Sequence, residues 1–377
     1  MEATPGKSDF IRLREELNQL GYNRGTPYAI IAEWLLFVGV FVVGLALVIV
    51  HDALWAKAVG MGLITFGSMG IATNAHTASH HAISRRKWLN DFFLYFGYPF
   101  VHQVSANFWR NKHLVVHHPH PNVVGVDKDA DLAPFFALDE AEFERASGFQ
   151  RWWYRHQAYF LPIVLVGNFF SVCFDAWVFL FRRLADPRTR DAAHWADLFA
   201  LVLHWVVWII VPLLVFDPVD VLVFTLVRFA IMSYAMFALF APAHYPADAQ
   251  LVSKEALGKN FLMLQTATTI NFRGGPIGRL LCGGVDYQIE HHLFPTISPR
   301  HYREMSRHVK AFCDRHGYPY RSESWGRAIW QSVATFHRPK PIHEGLPARA
   351  VSRPASPGET ADAADAADAA VDVAACR

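Results

Sequence analysis

The sequence is poor in cysteine and in charge, and each shortage excludes something. Its four cysteines (Cys173, Cys282, Cys313, Cys376) are scattered with no Cys-x-x-Cys pair. That argues against a disulfide scaffold and against a thiolate zinc site. Charged residues make up 18% of the chain, and 35 basic against 33 acidic side chains leave a formal charge of +2. There is no basic surplus of the kind that nucleic-acid binding needs. A cleavable signal peptide is not apparent, because residues 1–25 are polar and the first apolar block is too long. Wholesale disorder is excluded by a 53% hydrophobic composition. What the chain does have is long apolar blocks and 20 histidines.

A bilayer core of about 30 Å takes about 20 apolar helical residues. Four blocks qualify, at roughly 29–50, 53–74, 195–216 and 219–241. Short turns at His51-Asp52 and Asp217-Pro218 join them in pairs, so the sequence predicts an all-α integral membrane protein built from two transmembrane hairpins. A further apolar stretch at 157–181 is long enough to cross. Crossing, however, would put Arg182, Arg183, Arg188 and Arg190 opposite Arg85, Arg86 and Lys87, against the rule that basic residues stay cytoplasmic. It is read as interfacial or re-entrant, and 88–109, with Trp88, Phe92 and Trp109, as interfacial. The expected organisation is a polar N-terminal segment 1–27, a membrane domain 28–342 with a cytoplasmic histidine-rich cap, and an Ala/Asp-rich disordered tail 343–377, with both termini cytoplasmic.

Three clusters gather eight histidines: His76-Thr-Ala-Ser-His80-His81, His113-Leu-Val-Val-His117-His118, and Gln288-Ile-Glu-His291-His292. His244 stands alone at the end of the fourth block, and the hairpins deliver all four places to one face. On an α-helix, residues i and i+4 lie one above the other, so His76 with His80, and His113 with His117, can grip one metal. The adjacent His81 or His118 points about 100° away, toward a second ion. Nine imidazoles and one amide exceed a single tetrahedral zinc site and suit two ions of higher coordination number, with iron, copper, zinc or nickel compatible with imidazole. His81 can instead serve behind a ligand. The other eleven histidines are read as interface, surface or packed, including His204 between Trp205 and Trp208. Arg228, in the middle of a span, is expected to snorkel or to pair with an acid.

With these motifs the chain resembles the membrane fatty acid desaturases, the histidine-box di-iron enzymes, over roughly residues 28–320. The resemblance is carried by the three boxes, by Gly283-Gly-Val-Asp-Tyr-Gln-Ile-Glu-His-His-Leu-Phe-Pro295, by Gly125-Val-Asp127-Lys-Asp129-Ala-Asp131, and by Asn271-Phe-Arg-Gly-Gly-Pro276. Gln288 at the head of box three is similar to front-end acyl-lipid and sphingolipid desaturases and their bacterial relatives. The resemblance implies two iron ions held by His76, His80, His81, His113, His117, His118, His244, His291 and His292, with Gln288 in direct or water-mediated contact. It implies O2 as cosubstrate, a fatty acyl lipid or acyl-CoA as substrate, and a bacterial plasma membrane location. The His-Pro-Gly-Gly haem motif of fused cytochrome b5 domains does not occur. Electrons are therefore expected from a separate ferredoxin, flavodoxin or cytochrome b5 with its reductase. Thr77 stands where the family commonly has Asp. An apolar tunnel between the hairpins is expected for the acyl chain, and Arg273, Arg279 and Lys112 are candidates for a phosphate or an acidic donor. Two rival readings remain: a hydroxylase or other oxygenase on the same scaffold, and a non-catalytic metal transporter.

Overall fold

The computed structural model describes residues 5–349, and four of its helices are long and apolar enough to cross a membrane: Pro27–Val50, Leu54–Ser79, Ala192–Val215 and Pro218–His244. They match the four apolar blocks, but the second runs five residues further and the fourth three, so that the helices themselves carry His76 and His244. The first hairpin packs through small residues. A Cβ on Gly44 would lie 2.7 Å from Gly60 O, and one on Gly67 would lie 2.6 Å from Phe37 O. Close backbone approach of this kind is how helices associate where lipid removes the hydrophobic drive.

The stretch predicted as re-entrant is a bent pair, Gly148–Leu165 and Asn168–Ala185, meeting at 74°. The break leaves backbone groups without helical partners, and Ser233 of the fourth span satisfies them. Its hydroxyl accepts from Phe169 N and donates to Val166 O, both at 2.9 Å. The other predicted interfacial segment is only half so. Lys87–Tyr95 exposes Trp88 and Phe92, but the chain then widens into a π-helical turn, Phe96–Val101, and sinks between the spans with Gly97, Tyr98 and Val101 buried.

That turn explains the polar residues inside the spans. His204 Nδ1 (2.7 Å) and Trp208 Nε1 (3.0 Å) meet Phe100 O, and Arg228 Nη2 donates to Val101 O at 2.6 Å. Arg228 neither snorkels nor pairs with an acid among the described residues. Irregular backbone at membrane depth needs donors from neighbouring helices, and these side chains supply them.

The remaining segments form a cap over the span ends. An N-terminal helix, Pro5–Gln19, buries Leu13 and Leu17 against Ile289, Leu293, Met305 and Phe312. Each such burial is worth roughly 1.5–3 kcal/mol. The predicted tail boundary at 343 falls inside order. Ile342–His343 pairs in parallel with Leu251–Val252, Leu346 packs against the cap, and Arg349 donates to Asp9 at 2.7 Å. The Ala/Asp-rich stretch from 350 onward lies outside the described residues.

Candidate metal centre

The boxes converge from three helices under the cap. Box one is the last turn of Leu54–Ser79, with His80 as the residue that ends it. Box three is a short helix, Gln288–Leu293, launched from two left-handed glycines, Gly283 (φ 53°) and Gly284 (φ 95°). Asn271 fixes that launch by accepting from Ile289 N at 2.8 Å and donating to Glu290 at 2.8 Å, while Tyr320 donates to the other Glu290 oxygen. Burial pushes the Glu290 carboxyl up to about 7 against these bonds.

The helix that carries box two begins at Ala106, where Asp197 of the third span accepts from Ala106 N (2.8 Å), Asn107 N (3.0 Å) and Ser105 Oγ (2.5 Å). From Arg110 to His117 the helix is π rather than α, and His118 N donates to His113 O at 2.9 Å, five residues back. A π turn aligns i with i+5. His113 and His118 thereby reach the same group of imidazoles, while His117, whose ring still stacks on His113 at 5.4 Å, reaches another.

Two groups of buried imidazoles result. His76, His80, His113, His118 and His291 form one, and His117, His244 and His292 the other, with the nearest ring nitrogens in each within 4.8 Å of one another. They adjoin, since the His118 and His292 rings stack at 4.3 Å. In the first group, Nε2 of His76 and of His118 lie 2.8 and 3.1 Å from His113 Nε2. Ligands at right angles around an ion with bonds of about 2.1 Å would be roughly 3 Å apart. His80 Nε2, His291 Nε2 and His292 Nε2 are buried with no hydrogen-bond partner among the described residues. Burial, reinforced by neighbouring imidazoles, holds His80, His113, His118, His291 and His292 well below the usual histidine range. They are neutral at pH 7, as metal ligation requires. The donor set fits metal ions.

His81 belongs to neither group. The helix stops at Ser79, and His81 takes a left-handed conformation (φ 58°) that turns its side chain to the exposed surface. Gln288 is buried beside the second group, its amide 2.8 Å from His244 Nε2, with Oε1 lacking a partner among the described residues. Of the three basic candidates, Lys112 is bound to Asp129, Arg273 is exposed, and Arg279 lines a cavity.

Supporting bonds orient the second group. His117 Nδ1 lies 2.9 Å from Asp127 Oδ2, and Asp127 also accepts from Asn122 N and Asp129 N. Burial would lower His117, but the Asp127 charge and hydrogen bond outweigh it and raise its pKa. Asp127, Asp129 and His117 lie close enough to be a third metal group. The bonds already filling Asp127 identify it instead as the partner that frees His117 Nε2. Gln265 does the same for His292, with Oε1 2.9 Å from Nδ1, and its Nε2 donates to His118 O at 2.9 Å. Gln265 and Asp197 went unnoticed in the sequence, because neither belongs to a motif: one stands beside threonines, the other in an apolar helix.

A family profile described as fatty acid desaturase matches residues 52–324. The chain belongs to the fatty acid desaturase family. It is similar to the Delta(8)-fatty-acid desaturase of Euglena gracilis, with 29% identity over 84% of this chain and 75% of the relative. It is 28% identical to the Delta(5) fatty acid desaturase fat-4 of Caenorhabditis elegans, over 69% of this chain and 59% of that protein. With the sn-1 linoleoyl-lipid 6-desaturase of Arthrospira platensis it shares 26% identity over 78% of each chain. As a desaturase-family protein it is an oxidoreductase that works on fatty acyl chains in a lipid environment. The transporter reading finds no support here, because the ionisable groups His204 and Arg228 within the spans are occupied with backbone carbonyls.

Proposed function

We propose that this chain desaturates the acyl chain of a lipid or acyl-CoA, using O2 and two electrons at two iron ions. One iron would be held by His76, His80, His113, His118 and His291, the other by His117, His244 and His292 with Gln288 beside it. The observation that carries this reading is the division of the consecutive pairs His117-His118 and His291-His292 between two adjoining groups. When bound, the irons would supply the oxidising power to remove hydrogen from an unactivated methylene.

The chain's own residues bind, orient and exclude water. An apolar pocket of about 30 Å³ lies between the second and fourth spans, lined by Met69, Tyr98, Trp109, Met232, Met236 and Phe240. Trp109 and Phe240 lie 5.9 and 6.2 Å from the His76 ring. An acyl chain enters by displacing the methionines, whose unbranched side chains repack easily. Holding one methylene in one bend beside the metals is how geometry sets the position of the new double bond.

The boxes and both chain ends lie on the cytoplasmic side of a plasma membrane in this reading. Arg85, Arg86, Lys87, Arg182 and Arg183 support that side, and the acidic turn Asp217–Asp220 the opposite one. Electrons come from a separate ferredoxin, flavodoxin or cytochrome b5-type donor with its reductase. Metal analysis of purified protein, with mass spectrometry of lipids from an expressing host, tests the reading. About two irons per chain and an O2-dependent new double bond are expected. A chain holding one exchangeable zinc, or a hydroxylated product, would overturn it.

A further inference from the structure

A second cavity, of about 410 Å³, opens beside the metal centre and differs in kind from the apolar pocket. Ile30 and Glu33 from the start of the first span and Thr73 and Thr77 from the end of the second line it, so it sits where the membrane meets water. Its charged lining is balanced: Arg279, Arg300 and Arg303 against Glu33, Asp286 and Glu304. Arg300 Nη1 lies 3.2 Å from Glu33. Asp286 is only 4% exposed, and its Oδ1 has no hydrogen-bond partner among the described residues. Thr73 lines both this cavity and the apolar pocket, and it stands about one helical turn before His76.

A buried carboxyl oxygen without a partner calls for a donor, and Arg279, with the Arg300 guanidinium beside Glu33, gives the same cavity a cationic edge that suits an anion. Coenzyme A has amide and amine donors but no cationic group to set against the carboxylates. Its several phosphates would face three carboxylates, and like charges brought together count against a ligand. A quaternary ammonium has no N–H to give Asp286. We propose that this cavity holds the head group of a zwitterionic phospholipid with a primary ammonium, the phosphate at Arg279 and Arg300 and the ammonium at Asp286, while one acyl chain passes Thr73 into the apolar pocket. The assignment rests on the reading of the chain as a desaturase and narrows it to an acyl-lipid enzyme.

The test is binding, read by native mass spectrometry on the purified full-length protein. Phosphatidylethanolamine, phosphatidylcholine and phosphatidylglycerol with identical chains compete with one another, with acyl-CoA and with inorganic phosphate. Retention of the ethanolamine lipid about tenfold over the choline lipid is expected, the value of one charge-assisted hydrogen bond. Asp286→Asn should erase that preference, and Arg279→Gln should weaken both lipids together. Equal retention of the two lipids by the unaltered chain overturns the assignment whether or not the variants fold. So does displacement of the lipid by acyl-CoA or by phosphate alone. A protein that prefers the ammonium lipid but desaturates nothing fails as a desaturase while the head-group site stands. Desaturation indifferent to the head group does the reverse.

Discussion

Boxes one and two carry the same His-x-x-x-His-His pattern and use it differently. In box one the α-helix brings His76 and His80 into the first imidazole group and then ends, and a left-handed turn carries His81 to the surface. In box two a π turn spans the motif, so His113 and His118 reach the first group and His117 the second. Identical spacing thus yields two inward histidines in one place and three in the other. The backbone between the histidines decides, because one residue of helical register rotates a side chain by about 100°.

The sharpest break of this comparison is to replace the third histidine in each box. His118→Ala should abolish turnover and strip metal from the first group while the protein still inserts. His81→Ala should leave metal content and rate near those of the unaltered chain. Metal analysis with a lipid product assay checks both, and an inactive, metal-poor His81→Ala would restore His81 as a ligand. The next effect concerns orientation. Asp127→Asn and Gln265→Leu should each cost about 10- to 100-fold in metal affinity or activity, since each holds the far nitrogen of a second-group imidazole. Titration of metal into the stripped variants should show the loss in the second group alone.

Chelation gives a smaller, physical contrast. Removing metal from the unaltered chain should lower thermal stability by about 2.7 kcal/mol per ion if the ions had been present at a hundredfold over their Kd. The same chelator should shift His118→Ala less, because one group is already broken. Scanning calorimetry in matched detergent reads the difference. The smallest effect separates cap from tail. Ending the chain after Arg349 should leave activity and melting temperature unchanged. Ending it at 342 removes Leu346 and the Arg349–Asp9 bond and should destabilise the cap by about 1–3 kcal/mol.

Much of the fold was legible before any coordinates. Apolar blocks of bilayer length, punctuated by Asp-Pro and His-Asp turns, are long-wavelength features that no tertiary context is needed to read. The fifth apolar stretch was set apart by the positions of four arginines, but its 74° bend was not legible. The role of Arg228 was not. Pairing with an acid is the common solution for a buried cation, and only the π turn at Phe96–Val101 supplies the freed carbonyl that it binds. The tail boundary was misplaced because two-residue strand pairing leaves no periodicity in composition. Asn271 and Asp127 stood in recognised motifs, but their tasks, holding the box-three helix and the His117 ring, emerged from hydrogen bonds across sequence gaps of 18 and 10 residues.

By itself the sequence determined the four apolar helices and the identity of nearly every imidazole that the structure brings together. Those follow from hydrophobic length and local spacing. Only the tertiary structure decided how the imidazoles divide and which one is left out. It also decided which polar side chains steady them. Helical register at a π turn and hydrogen bonds between distant segments depend on what the rest of the chain packs against them.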